Sequence, residues 1–259
     1  MSVGFINSKD NALIKTIKRL QTSSRQRKKE NCFVIEGLRL LDDAADNNIV
    51  FSHLLYTEEF AKKNAESLRK FTEISEKVFV ISEKLFASIS DTLTPQGVLA
   101  VAKIKEKNIA DIGVFGKYIA LENLQDPSNV GAICRTAESL GLNGVFVSAD
   151  SCDIYSPKVL RSSMGTVLRL PIYVLDNLPQ QLKETNLTIY ACVVHGDAEY
   201  VGNFSFNKGS VAVIGNEGNG LTDEMIKLSN KKITIKMNGR AESLNAAAAA
   251  SIVMWEMCK

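Results

Sequence analysis

Ile-Lys-Met-Asn-Gly-Arg-Ala-Glu-Ser-Leu-Asn-Ala-Ala-Ala-Ala-Ala-Ser, from Ile235 to Ser251, joins the end of an apolar run to an Ala-rich helix through a polar turn. Moving towards the N-terminus, Ile-Gly-Asn-Glu-Gly-Asn-Gly-Leu occupies Ile214 to Leu221. Earlier still, Asn-Leu-Gln-Asp-Pro-Ser-Asn-Val-Gly-Ala-Ile-Cys-Arg-Thr-Ala occupies Asn123 to Ala137. Each segment sets polar residues or glycines at the end of a strand-like apolar run. An open α/β sheet places its ligand site at such strand ends.

Around these segments, apolar runs recur at 118–121, 144–148, 172–174, 187–193, 210–214 and 232–235, with helical patterns at 129–140, 156–163, 178–184 and 222–228. Apolar strands alternating with helices predict a mostly parallel, doubly wound sheet over 118–259. Residues 106–117 are charged, contain glycine and lack periodicity, so they are expected to be a linker. Residues 1–105 form a second, smaller α/β unit in the sequence. An amphipathic helix is expected at 8–22, with Leu13, Ile14, Ile17 and Leu20 on one face. A polar, basic loop should follow at 23–30, then strands at 32–36, 53–57, 77–81 and 98–103 with helices at 38–47, 58–71 and 83–88.

The 259 residues carry a net charge of +2, so the total says little about partners, but its distribution says more. Lys9, Lys15, Lys18, Arg19, Arg25, Arg27, Lys28, Lys29 and Arg39 face only Asp10, Glu30 and Glu36 in the first forty residues. This asymmetry suits a polyanion such as nucleic acid; a solvated helix face is the plainer reading. The cysteines, 32, 134, 152, 192 and 258, are odd in number and scattered, which suits a reducing compartment without a disulfide framework. His53 and His195 are far apart and no CxxC occurs, so no metal site is expected. No stretch reads as a signal peptide or a membrane span, and the expected setting is the cytoplasm.

Gly215-Asn216-Glu217-Gly218-Asn219-Gly220 frees backbone amides and lets the chain approach a ligand closely. Its order differs from the dinucleotide fingerprint and from the nucleotide-triphosphate loop, which argues against an oxidoreductase and a P-loop enzyme. A tight turn would need the same glycines. Ser243 or Asn245 can cap the Ala-rich helix, and both also bring polar groups to a helix N-terminus. Asn129 should sit near a helix start with Arg135 about a turn and a half later. Arg135 is either paired with an acid such as Glu138 or aimed at a phosphate.

The three segments resemble the three motifs of the SpoU (TrmH) family of RNA ribose 2′-O-methyltransferases, within the SPOUT superfamily. Asn129 and Arg135 match the first motif, Gly215–Leu221 the second and Met237–Ser251 the third. Residues 8–103, including Phe33-Val34-Ile35-Glu36-Gly37 and Pro95-Gln96-Gly97-Val98, resemble the ribosomal-protein-like RNA-binding domain that precedes the catalytic domain in many members.

The resemblance implies S-adenosylmethionine as methyl donor and an RNA ribose 2′-hydroxyl as acceptor. It also implies a parallel-sheet SPOUT domain with a deep trefoil knot, and a homodimer packed through the knot region. By position, Asn129, Arg135, Glu217, Ser243 and Asn245 form the implied catalytic set. Ile214, Gly215, Gly220, Ile235, Met237, Leu244 and Ala246 form the implied cofactor pocket. Lys15, Lys18, Arg19, Arg25, Arg27, Lys28, Arg39 and, from the segment 156–165, Arg161 are the expected RNA contacts. The N-terminal domain favours ribosomal RNA, since members acting on transfer RNA often carry short helical extensions instead. Transfer RNA and a non-catalytic RNA-binding role are the alternatives. Neither DNA nor a membrane is expected as a partner.

Overall fold

The structure, a computed structural model, describes residues 3–105, 107–194 and 197–259. His195 and the first residue of the expected linker, Glu106, lie outside the described residues. The chain divides into two compact units. The first holds the chain up to Lys105 together with Tyr155–Arg169, and the second holds the remainder.

The first unit runs β1 (Val3–Ile6), α1 (Ala12–Thr22), α2 (Ser24–Glu30), β2 (Cys32–Glu36), α3 (Leu38–Asp46), β3 (Phe51–Tyr56), α4 (Glu58–Lys63), α5 (Ala65–Glu73), β4 (Val78–Ile81), α6 (Glu83–Ala87) and β5 (Val98–Lys103). Its sheet has the order β1-β4-β3-β5-β2. β1, β4 and β3 are parallel, while β5 runs antiparallel to both β3 and β2. Asn11 starts α1 by accepting the Leu13 amide at 2.8 Å. Ile14, Ile17 and Leu20 are at most 1% exposed on its inner face. Each such side chain contributes about 1.5–3 kcal/mol when fully buried, so packing fixes which face turns outward. Lys15, Lys18 and Arg19 are thereby left exposed.

Residues 23–30 depart from the expected loop. Ser23 accepts the Gln26 amide at 3.2 Å and starts α2, and Asn31, left-handed at φ +49°, ends it. The Arg27 guanidinium bonds the Leu20 and Gln21 carbonyls at the end of α1. The expected helix 58–71 is two helices, because Asn64 at φ −132° breaks the spiral between α4 and α5. The edge strand β1 has four residues, too few to carry a readable pattern in the sequence.

The second unit contains β6 (Lys117–Leu121), α7 (Pro127–Ser139) and β7 (Gly144–Ser148). The chain then returns to the first unit with α8 (Pro157–Ser162). There Tyr155 packs on Phe33 at 4.7 Å between ring centres, and Arg161 and Arg169 pair with Asp91 and Asp43 at 2.7 and 3.1 Å. The second unit resumes with β8 (Ile172–Leu175), α9 (Leu178–Lys183), β9 (Thr188–Cys192), β10 (Glu199–Tyr200), β11 (Ser210–Ile214), α10 (Asp223–Leu228), β12 (Lys231–Thr234) and α11 (Ala246–Cys258).

Its seven strands lie in the order β10-β12-β9-β11-β6-β7-β8, all parallel. β7 and β11 are buried along their whole length, as strands covered on both faces require. From β6 the chain proceeds through α7 to β7 on one side. From neighbouring β11 it proceeds through α10 to β12 on the other. The carboxyl ends of β6 and β11 therefore border a topological switch point, where open α/β sheets bind ligands. The small side chains of α11 bring it against α7, β6 and β11.

Candidate active site

At that switch point the segment after β6 meets the loop after β11. Asp126 accepts the Ser128 amide at 2.8 Å and, with Pro127 in the first turn, starts α7. The start of α7 aims two backbone amides at one carboxyl. Gln125 N donates to Glu217 Oε2 at 3.2 Å, and Asp126 N to Glu217 Oε1 at 3.1 Å. Asn129, only 6% exposed, adds its Nδ2 to Glu217 Oε1 at 3.1 Å.

A second link runs from Asn129 to α11. Asn245 Nδ2 donates to Asn129 Oδ1 at 2.9 Å, while Asn245 Oδ1 accepts the amides of Ala247 and Ala248 at 2.9 and 3.3 Å. The helix start fixes which end of the Asn245 amide is oxygen, and that choice propagates through Asn129 to Glu217. Three residues from three distant segments thus form one relay: Glu217, Asn129, Asn245. Burial alone pushes the Glu217 carboxyl upward. The bonds from Asn129, its own backbone, Gln125 and Asp126 outweigh burial and hold it below the ordinary 4.5.

The glycine loop is tightly closed. Asn216 and Gly220 exchange backbone hydrogen bonds at 3.0 and 2.9 Å. Asn216 Nδ2 also donates to the Asn123 carbonyl at 2.8 Å, and its Oδ1 accepts the Gly218 and Asn219 amides. At Gly215 a Cβ would lie 2.2 Å from the Gly220 carbonyl carbon, so no side chain fits. Gly220, at φ +70°, is open: a Cβ there would meet nothing within 4 Å. Below the loop, buried Glu122 accepts the Thr222 amide at 2.8 Å and the Thr222 hydroxyl at 2.7 Å. Neither Glu122 nor the structural part of Asn216 stands out in the sequence. An acidic residue directly after an apolar run is the available signal.

The other expected site residues are arranged more loosely. Ile214 is buried at the end of β11; Ile235, Met237 and Ala246 are half-buried, and Leu244 is 37% exposed. Among the described residues, no backbone group of 235–244 hydrogen-bonds within the chain. Arg135 and Ser243 are exposed and join the relay through no hydrogen bond. Among the described residues no hydrogen bond or ion pair joins the Arg135 guanidinium to another side chain. Among those residues no cluster of His, Cys, Asp and Glu could hold a metal ion, and no helix is long and apolar enough to cross a membrane.

In the first unit, Lys15, Lys18, Arg19, Arg25, Lys28 and Arg39 are exposed, with Lys15 paired to Asp10 at 3.2 Å. Arg27 corrects the expectation. It is 4% exposed and committed to the carbonyls of α1, where no polyanion reaches it. Arg161 is half-committed, since its guanidinium pairs with Asp91.

Two family models and several known proteins match the chain. Residues 116–255 match the model of the SpoU rRNA methylase family, and residues 11–100 match an MRM3-like substrate binding domain. An uncharacterised tRNA/rRNA methyltransferase of Synechocystis sp. is 30% identical over 98% of this chain and 93% of its own length. The 23S rRNA (guanosine(2553)-2′-O)-methyltransferase RlmP of Bacillus subtilis is 29% identical over 97% of this chain and 98% of its own length. The crystal structure of an AdoMet-bound rRNA methyltransferase from Sinorhizobium meliloti superposes with a TM-score of 0.87 at 27% identity. That match covers 98% of this chain and 97% of the other.

Proposed function

The chain belongs to the SpoU rRNA methylase family, and from that membership we propose that it transfers a methyl group from S-adenosylmethionine to a ribose 2′-hydroxyl of 23S ribosomal RNA. The observation carrying this reading is the meeting of Glu217, Asn129 and Asn245 beside the glycine loop at the β6/β11 switch point. The full-length likeness to a 23S ribosomal RNA enzyme supports the substrate class.

The residues present fit the donor. The backbone groups of 235–244, unpaired among the described residues, can bind an adenosyl group, with open space above Gly220 and with Ile235, Met237 and partly exposed Leu244 beside them. Ile214, Gly215 and Ala246 complete the assigned pocket. When bound, S-adenosylmethionine supplies an electrophilic methyl group. The chain supplies alignment and charge. The relay fixes Glu217 and the start of α11 as a rigid wall, which favours a single attack geometry. Glu217 is a poor proton acceptor, because its oxygens already take bonds from Asn129, Gln125 and Asp126 and its pKa is lowered. Arg135 cannot act as a base, since guanidinium stays protonated. Its exposed side chain instead binds the neighbouring phosphate and stabilises the negative charge that develops on the 2′-oxygen as its proton passes to water during methyl transfer, the sulfur leaving as the neutral thioether. Ser243 orients the ribose.

In this reading residues 1–105 bind RNA, 106–117 link, and 118–259 catalyse, apart from Tyr155–Arg169, which belongs to the first unit. The reading includes the trefoil knot within 118–259, a homodimer packed through it and a cytoplasmic setting. An experimental structure traced through 118–259 checks the knot, sedimentation of the purified protein the dimer, and cell fractionation the setting.

The deciding experiment is tritium transfer from labelled S-adenosylmethionine into total RNA, followed by fractionation. Label enters 23S ribosomal RNA and is lost with Arg135→Ala, while Arg135→Lys keeps little activity because a bidentate contact is needed. Label in transfer RNA would replace the substrate. Binding of the donor without transfer would favour a non-catalytic RNA binder.

A further inference from the structure

Glu122 lies outside the residues assigned above, yet it touches both ends of the glycine loop. It stands one residue beyond β6 and is 3% exposed. Its amide donates to the Ile214 carbonyl at 2.9 Å, where the loop begins. Its carboxyl accepts the amide and the hydroxyl of Thr222 at 2.8 and 2.7 Å, where the loop ends. A carboxyl removed from water persists only when its oxygens are satisfied, and both of these are given to one residue.

The loop between these ends has a separate anchor at its tip. Glu217 is held by Gln125, Asp126 and Asn129, none of which touches Glu122 through a hydrogen bond. The base is different. Gly215 presses on the Gly220 backbone, and their relative position depends on how far apart Ile214 and Thr222 are held. The Thr222 hydroxyl also accepts the Met225 amide at 3.2 Å, so the same residue starts α10. One carboxyl therefore couples the loop's width to the direction in which the chain leaves it.

We propose that Glu122 is a positioning residue for the methyl-donor pocket, clasping the ends of the 215–221 loop so that its backbone groups face the donor. The proposal rests on the assignment of that loop to donor binding. Glu122→Gln keeps the shape but replaces one acceptor oxygen by an NH2 group facing a donor of Thr222. Thr222→Val removes the hydroxyl, and with it both the bond to Glu122 and the cap of α10, whereas Thr222→Ser keeps both donors and the cap. Because the tip stays anchored, the loss falls on donor binding rather than on turnover once the donor is bound.

The test is calorimetric titration of the full-length variants with S-adenosylhomocysteine, beside unfolding midpoints without ligand and kinetics with S-adenosylmethionine. Glu122→Gln and Thr222→Val each weaken binding about ten-fold, the size expected for one lost bond to a carboxylate. They raise KM to match, leaving kcat within about two-fold, and Thr222→Ser binds within about two-fold of the parent. Lower unfolding midpoints with unchanged affinity and KM would overturn the proposal and leave Glu122 a support of the fold alone. If Glu122→Gln does not fold, Thr222→Val decides by the same readouts. If the parent protein binds no S-adenosylhomocysteine, the donor-site assignment fails, and the proposal with it.

Discussion

Asn129 donates to Glu217 and accepts from Asn245, so its amide cannot be exchanged for a group that does only one of these. Asn129→Asp keeps the acceptor but sets a second carboxylate against the first. Like charges at that distance oppose each other's ionisation. We expect a loss of about 1–3 kcal/mol at pH 7, the cost of an unsatisfied buried partner, with donor binding weakened as well. The deficit should narrow as the pH falls from 7 towards 5, because a proton shared by the pair removes the repulsion. Thermal unfolding across that range checks it, and a constant deficit would count against the relay. In the parent protein the sign is opposite. Glu217 has a lowered pKa, so its stabilisation is complete above the ordinary 4.5 and is lost as the pH falls through the lowered value.

Among the elements, the glycine loop holds two glycines that should respond differently to the same change. Gly215→Ala forces a methyl group to 2.2 Å from the Gly220 backbone, and backbone cannot move aside as a flexible side chain can. The loop must reopen, costing about 1–3 kcal/mol as overpacking does, and donor binding should be lost. Gly220→Ala meets no atom within 4 Å but keeps φ +70°, a left-handed backbone. That costs about 1–2 kcal/mol and should leave the loop's closure intact. Denaturant unfolding and calorimetry of both variants rank them, and a Gly220→Ala variant that binds donor worse than Gly215→Ala would contradict this account. The helix α2 shows the same dependence on single positions. Its basic residues carry no apolar stripe, so its sequence reads as a loop. Its helix depends on the Ser23 cap, the Asn31 stop and Arg27 turned inward.

Across the molecule, the basic residues of the first unit divide by burial rather than by charge. Arg25 and Lys28 are exposed, whereas Arg27 between them is 4% exposed. Arg25→Glu with Lys28→Glu should weaken RNA binding at low salt. The slope of log K against log salt should shrink by about 0.7–0.9 for each phosphate the protein no longer neutralises. Arg27→Ala should leave that slope unchanged and cost stability, about 1.5–3 kcal/mol for bonds from a charged donor. Filter binding to 23S ribosomal RNA over a salt series, beside unfolding curves, separates the two. An Arg27→Ala variant with normal stability and a reduced slope would reverse the assignment.

Much of the molecule is legible from local pattern. Runs such as 211–214 and 145–147 are apolar throughout because both sheet faces are covered, and that shows without knowing the neighbours. Asn245 announces a helix start because capping chemistry acts within a few residues, whereas α7 starts at its Asp126 cap, ahead of the Asn129 expected near that start. The resemblance adds the family and the residues to watch. What stays hidden depends on pairings between distant residues. β11 lies between β9 and β6, so Glu217 meets an amide 88 positions away. Glu122 reaches Thr222 across 100 positions, and Tyr155–Arg169 packs with the first unit. A carboxyl, an amide or a guanidinium reads the same in sequence whether it faces water or a buried carbonyl. Periodicity and capping act over a few residues, so the elements and their edges can be read along the chain. Which polar groups satisfy one another follows from the strand ends that the folded sheet brings side by side, and no local pattern carries that information.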